Sequence, residues 1–166
     1  ALRVTDADGD STDAQEFEAL VRGTTRDLLA YFLRRVQVRE DAADLLARVY
    51  LVAWDRRSAV PEPPADRLWL FGVARNVLLE HRRESVRAHE AATALRAEIR
   101  RTAGAAYRSE FVSEKDSRAC VVRDALADLA EVDRELLTLT VWEGMAPSEA
   151  AGVVGISAAN ARVRLH

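Results

Sequence analysis

A chain of 166 residues with net charge −3 and a single cysteine has room for one ordinary domain or two small ones. The lone Cys120 rules out a disulfide-stapled scaffold and makes a reducing, cytoplasmic compartment the default expectation. No run is apolar enough to span a bilayer, and no charged-then-apolar leader opens the chain.

Alanine, leucine, valine and arginine dominate, with only 7 Gly and 4 Pro, a balance that favours helix over strand. The charge is uneven. Asp6, Asp8, Asp10, Asp13 and Glu16 oppose only Arg3 in the first sixteen residues, a net −4 that leaves +1 for the remainder. Any nucleic-acid contact must therefore use local basic patches, not a global field.

Residues 1–13 are acidic and lack an apolar period, which predicts a disordered tail. A calcium loop starting at Asp6 would need Gly at its sixth position and Glu at its twelfth; Ser11 and Phe17 stand there. A first helical block is predicted over 14–35 from Phe17, Leu20, Val21, Leu28, Tyr31 and Phe32, with Gly23 as a candidate break. A second follows Arg39, Glu40 and Asp41, the last two being acids that suit the positive end of the helix dipole. It carries Ala42, Leu45, Leu46, Val49, Tyr50, Ala53 and Trp54 to about Arg57.

Pro61, Pro63 and Pro64 predict a loop between Ser58 and Asp66; Pro61 and Pro64 also match a minimal polyproline ligand, too short a match to carry weight. Helix resumes near Ala65 and runs to Arg83, apolar on most sides at first and basic at its end through His81, Arg82, Arg83 and Arg87. Residues 88–118 have weak periodicity and fit either a connector with a frayed helical portion or one more surface helix. From Ala119 an apolar stripe returns as Val122, Leu126, Leu129, Leu136, Leu137, Leu139 and Val141, predicting two packed helices that break near Glu131–Asp133.

The final segment is the most informative. Pro147 suits a first helical turn, Gly155 the left-handed residue that ends a helix, Ile156 an apolar plug, and Ser157 the cap of a following helix. Helix, Gly-apolar-Ser turn, helix is the pattern that presents one helix to a DNA major groove; an ordinary helical hairpin with solvated arginines is the alternative. On the second helix Val163 is expected to face inward, while Asn160, Arg162 and Arg164 have the chemistry to read bases or bind phosphate. Ala146 at the cap position forgoes roughly 0.5–2 kcal/mol, and Gly152 inside the first helix costs about 1 kcal/mol, so this lobe is expected to be marginally stable alone.

Three stretches, in this order, carry a resemblance: 41–54 (Asp41 to Trp54), 69–83 (Trp69 to Arg83) and 136–166 (Leu136 to His166). Together the chain resembles the extracytoplasmic-function group of bacterial sigma factors, which keep only the second and fourth sigma regions. The resemblance implies an all-α fold of two small helical domains: region two over 14–87, a flexible connector over 88–118, and region four over 119–166. It implies a promoter-specificity subunit of RNA polymerase that engages the β′ and β subunits of the core enzyme and promoter DNA, including the melted non-template strand. It needs no cofactor or metal, and the group is often held by an anti-sigma protein.

By the same resemblance Asp41, Asp44, Leu45 and Arg48 would bind core polymerase, although the family usually has an acid where Arg48 stands. The loop at 58–67 would take a base flipped from the −10 element, with Ser58, Arg67, Trp69, Arg75, Asn76, Arg82 and Arg83 along the strand. Phe71 reads better as core, and a solvated helix end is a rival for Arg82 and Arg83. Ala159, Asn160, Arg162 and Arg164 would read the −35 element.

An enzyme has little to stand on. His81, His89, His166 and Cys120 form no metal spacing, and no phosphate loop or nucleophile elbow is present. A conventional helix-turn-helix regulator with a helical effector domain would explain 142–166, but leaves 41–57 and 68–83 as coincidence.

Overall fold

A computed structural model describes residues 7–103, 122 and 125–166; Cys120 and residues 104–118 of the expected connector lie outside these. Among the described residues there is no strand, and no helix is long and apolar enough to cross a membrane.

Helix α1 (Ala7–Leu33) starts seven residues before the expected position, so the predicted tail over 1–13 is corrected from Ala7 onward. An acidic run without an apolar period also suits the positive end of a helix, and the sequence pattern alone does not separate the two cases. Gly23 does not break α1. Thr24 and Thr25 return their hydroxyls to the carbonyls of Leu20 and Val21, at 2.7 and 2.6 Å, and both meet the Tyr50 hydroxyl at 3.0 Å. This seam joins α1 to α2 (Arg39–Asp55), whose first turn carries Glu40 and Asp41 in place of a side-chain cap. Phe17 closes it edge-on against Trp54, with ring centroids 5.0 Å apart.

A short 3-10 turn (Arg57–Ala59) and the proline loop lead into α3 (Ala65–Ala103), 39 residues and about 58 Å long. The expected connector is therefore helical as far as Ala103, and the surface-helix alternative holds there. Alanine-rich sequence and an Arg101–Glu98 pair one turn apart favour helix where no apolar period marks it. Leu28, Tyr31 and Phe32 of α1, Leu45 and Val49 of α2, and Leu70, Phe71 and Leu78 of α3 form the core of this first lobe.

The second lobe has a helical stretch at 125–127, then α4 (Glu131–Val141), α5 (Pro147–Val154) and α6 (Ala158–Leu165). Leu136 and Leu139 are its buried centre, joined by Met145, Ala150, Ala151 and Ala161. Val122, Leu129, Leu137 and Val141, expected in the stripe, are exposed instead. The turn between α5 and α6 forms as the sequence predicts: Gly155 has φ 82°, and the Ser157 hydroxyl accepts the Asn160 N–H at 3.2 Å. Ala146 offers no cap, but Glu149 reaches back to accept its N–H at 2.7 Å, recovering half of a capping box.

Candidate nucleic-acid interface

Of the four candidates on helix α2, Asp41, Asp44 and Arg48 reach the surface and Leu45 does not. Asp44 is exposed, Asp41 lies 3.4 Å from His81, and Arg48 reaches across to Glu80 and Glu84 on α3 at 3.0 and 3.3 Å. Leu45 is 1% exposed and sits in the core between helices, so it is withdrawn as a surface contact. The period that puts Leu45 inward turns Leu51 outward, 67% exposed and two turns beyond Asp44 on the same side. Leu51 lies off the apolar stripe that marks α2, and nothing in the local pattern singles out an off-stripe leucine as a surface contact.

The −10 candidates divide into three groups. Ser58 and Arg67 line a cavity of about 1070 Å³ between the proline loop and α1, floored by Phe17 and Leu20. Arg67 is held there by Asp27 at 3.2 Å and lies over the Phe71 ring. The cavity is also acidic, with Asp13, Glu16, Asp55, Glu62 and Asp66 on its rim. Trp69 and Asn76 lie further along α3, one face apart from the cavity, in a groove against α5. Arg75 is half-buried, and its Nε is buried without a hydrogen-bond partner among the described residues; Arg82 points to Glu131 of α4 at 4.0 Å; Arg83 is exposed. Phe71 is core, as expected, and packs edge-on against Tyr31.

On α6, Ala159, Asn160, Arg162 and Arg164 all face solvent. Arg164 is braced, however: it donates to Asp133 at 2.8 Å and to Asn160 Oδ1 at 3.1 Å. Among the described residues Arg162 bonds the Ala158 carbonyl one turn back and no other group. The inward residue is Ala161, fully buried, and Val163 is 77% exposed, which reverses the expected direction of Val163. A helix beginning at Ala158 buries positions four apart, 161 and 165, and two residues beyond 161 lies the opposite face.

Between the lobes lies a charged cluster that no local pattern announces. Arg35, 4% exposed, donates to Glu143 at 3.1 Å and to Thr138 at 2.8 Å, and lies 3.5 Å from Glu135. Its guanidinium stacks 3.8 Å from the Tyr31 ring centroid. Tyr31 donates to Glu135 at 2.8 Å. Burial first, and then the negative charge of Glu135, raise the Tyr31 phenol well above its ordinary 10.0. A raised folded-state value makes this contribution to stability complete below pH 10 and lost as pH rises further. Thermal melts across that range are expected to show a steeper alkaline fall for the natural chain than for Tyr31→Phe; equal slopes would mean that the unfolded phenol titrates no earlier than the folded one.

Comparison with known proteins fits this geometry. The family model described as "Sigma-70, region 4" matches residues 121–166. The ECF RNA polymerase sigma factor SigF of Caulobacter vibrioides is 29% identical over 170 residues, covering all of this chain and 87% of that protein. The ECF RNA polymerase sigma factor SigL of Mycobacterium tuberculosis is 28% identical over 148 residues, 84% of this chain and 76% of that protein. Among solved structures, the sigma factor RpoE in complex with the anti-sigma factor NepR from Bartonella quintana superposes with a TM-score of 0.63 at 19% identity, covering 91% of this chain and 90% of that one. CnrH in complex with the cytosolic domain of CnrY gives 0.62 at 21% identity, over 96% and 86%. These two show the fold.

Proposed function

We propose that this chain is an extracytoplasmic-function sigma factor of the sigma-70 family, a promoter-specificity subunit of RNA polymerase whose residues divide the work as follows. The observation that carries the reading is the pairing of two units in one chain: an acidic-faced helix beside a looped cavity, and a capped helix-turn-helix with a solvent-facing second helix. Residues 14–87 act as region two and 119–166 as region four. A conventional regulator would account for the second unit alone, whereas the relatives align across both.

In this reading the exposed side of α2, through Asp41, Asp44, Arg48 and Leu51, docks on core polymerase. The cavity at Ser58 and Arg67 takes an extruded −10 base, and its aromatic and apolar floor offsets part of the unstacking cost of a few kcal/mol. Trp69, Asn76, Arg75, Arg82 and Arg83 follow the strand. Strand separation and base capture need no bond-making by this chain, so its role is binding and positioning, and RNA synthesis belongs to the polymerase it directs. An anti-sigma protein, as bound by RpoE of Bartonella quintana, is the partner that would oppose it. Run-off transcription with core polymerase and a promoter library tests the whole: specific initiation that depends on this chain is expected, and initiation indifferent to it would overturn the reading.

The −35 face is sharpened by the exposure of Val163. Ala159 and Val163 stand one turn apart with nothing polar to offer, which suits a thymine methyl in the major groove; Arg162 supplies the phosphate or guanine contact. Arg164 works first as a brace to Asp133. Arg162→Ala is therefore expected to weaken −35 duplex binding and, if the contact is to phosphate, to flatten its salt dependence by close to one ion. Val163→Ser should leave the salt slope alone and relax the preference for thymine by ~1 kcal/mol. Binding titrations at several salt concentrations check both, and unchanged affinity for each variant would mean the face is merely solvated.

A further inference from the structure

Arg67 stands in the first turn of α3, on the wall of the cavity beside the proline loop. Its Nε and Nη2 both donate to Asp27 Oδ2 of α1, at 3.3 and 3.2 Å. Its guanidinium lies 5.0 Å from the centroid of the Phe71 ring, which is 1% exposed and makes a fixed platform. A guanidinium carries its N–H donors in a rigid planar fork. With Nε and Nη2 turned to Asp27, Nη1 bonds no group among the described residues. Asp27 stands behind the cavity wall. It follows Gly23 and Thr24 of that wall by one helical turn, and so lies on the same side of α1.

We propose that Asp27 is a positioning residue for base capture: it holds Arg67 so that the unbonded Nη1 serves an acceptor atom of the extruded base, and it withdraws Arg67 from the phosphates of the strand. This inference rests on the assignment of the cavity to a −10 base.

Two physical effects support the role. The first is ordering. A free arginine side chain loses its rotamer freedom when the strand arrives, whereas Asp27 and Phe71 have fixed Arg67 beforehand. The second is charge. A lone guanidinium facing a melted strand pairs with phosphate, which is the same at every position and carries no sequence information. Paired with Asp27, it keeps free N–H donors but little net charge, and a neutral acceptor on a base becomes the better partner. Glu16, Asp55 and Glu62 on the cavity wall act in the same sense, since they repel phosphate from its mouth. Stability is not what the pair supplies. The Arg67 and Asp27 side chains are 39% and 47% exposed, and an ion pair so placed adds little to folding.

The test uses core polymerase with the full chain, and a forked promoter DNA, taken from the promoters that the chain selects, whose −10 non-template strand is single. Abasic substitution at each −10 position in turn locates the captured base. At that position the affinity for the intact fork over the abasic fork measures what the base contributes. Arg67→Ala is expected to lower this ratio by about tenfold, the weight of one charge-assisted hydrogen bond. Asp27→Ala, with Arg67 in place, should lower it by about threefold or more. It should also steepen the salt dependence by about 0.7, because the released guanidinium takes up one phosphate. Asp27→Asn removes the charge at nearly the same shape and serves if truncation disturbs α1. Asp27→Glu, which keeps the anion, should restore the parent salt slope and part of the ratio. The double variant Asp27→Ala with Arg67→Ala should lose no more than Arg67→Ala alone.

A merely structural role for Asp27 would weaken binding of intact and abasic forks alike and leave their ratio unchanged. That result in a folded Asp27 variant, beside a lowered ratio in Arg67→Ala, overturns the positioning role and leaves the cavity assignment standing. A parent that binds every abasic fork as tightly as the intact one overturns both.

Discussion

Phe71→Ala is expected to destabilise the first lobe by about 3–5 kcal/mol, a large part of the 5–15 kcal/mol on which an ordinary domain stands. Phe71 is buried among Tyr31 and the neighbouring helices, its ring edge-on to Tyr31 and covered by the Arg67 guanidinium. Truncation removes the transfer free energy of a benzyl group and leaves a cavity that three helices close only partly. Urea or thermal unfolding followed by circular dichroism reads the effect. Trp69→Ala, two residues away, is the contrast: its ring is half-buried and lines the groove facing α5. It should cost less stability and more strand binding. A small loss at Phe71, near 1 kcal/mol or below, would remove Phe71 from the core.

Loss of polymerase binding on charge and shape reversal of α2 is the second large effect. Asp44→Arg with Leu51→Arg is expected to weaken association with core polymerase by more than about 30-fold, the ratio for a lost hot spot of 2 kcal/mol. Helical content should be unchanged, because both side chains face solvent. Leu45→Ala separates surface from core on the same helix: it should lower the melting temperature, while the folded fraction binds polymerase as before. Binding measured on immobilised core enzyme checks both variants. Full affinity of the double arginine variant would sink the assignment of this face.

Much of the architecture is legible in residues taken locally. Proline at 61, 63 and 64 forces the loop between α2 and α3, and Gly155 with Ser157 forces the last turn, because each restricts the backbone whatever surrounds it. Element type follows from apolar period in α2 and α4. Where period is absent the sequence is ambiguous, and 7–13 and 88–103 are helical on propensity and local charge alone. The acids at 40 and 41 mark the start of α2 because dipole complementarity is a local rule, whereas Asp44 is singled out by the family resemblance alone. Leu51 and Val163 were missed for the converse reason: exposure of an apolar residue depends on where the neighbouring helices stop.

The amino-acid sequence by itself determined that this is a helical protein of two units with a helix-turn-helix at its end, because helix capping, proline and left-handed glycine act within a few residues. Tertiary structure decided the phase of each helix, inward at Leu45 and Ala161 and outward at Leu51 and Val163, since burial belongs to a packed face and not to a residue type. It also decided that Arg35 meets Glu143 across 108 positions. Pairings of that separation leave no periodic trace in a chain; they exist only once two cores have formed and brought their uncovered charges together out of water.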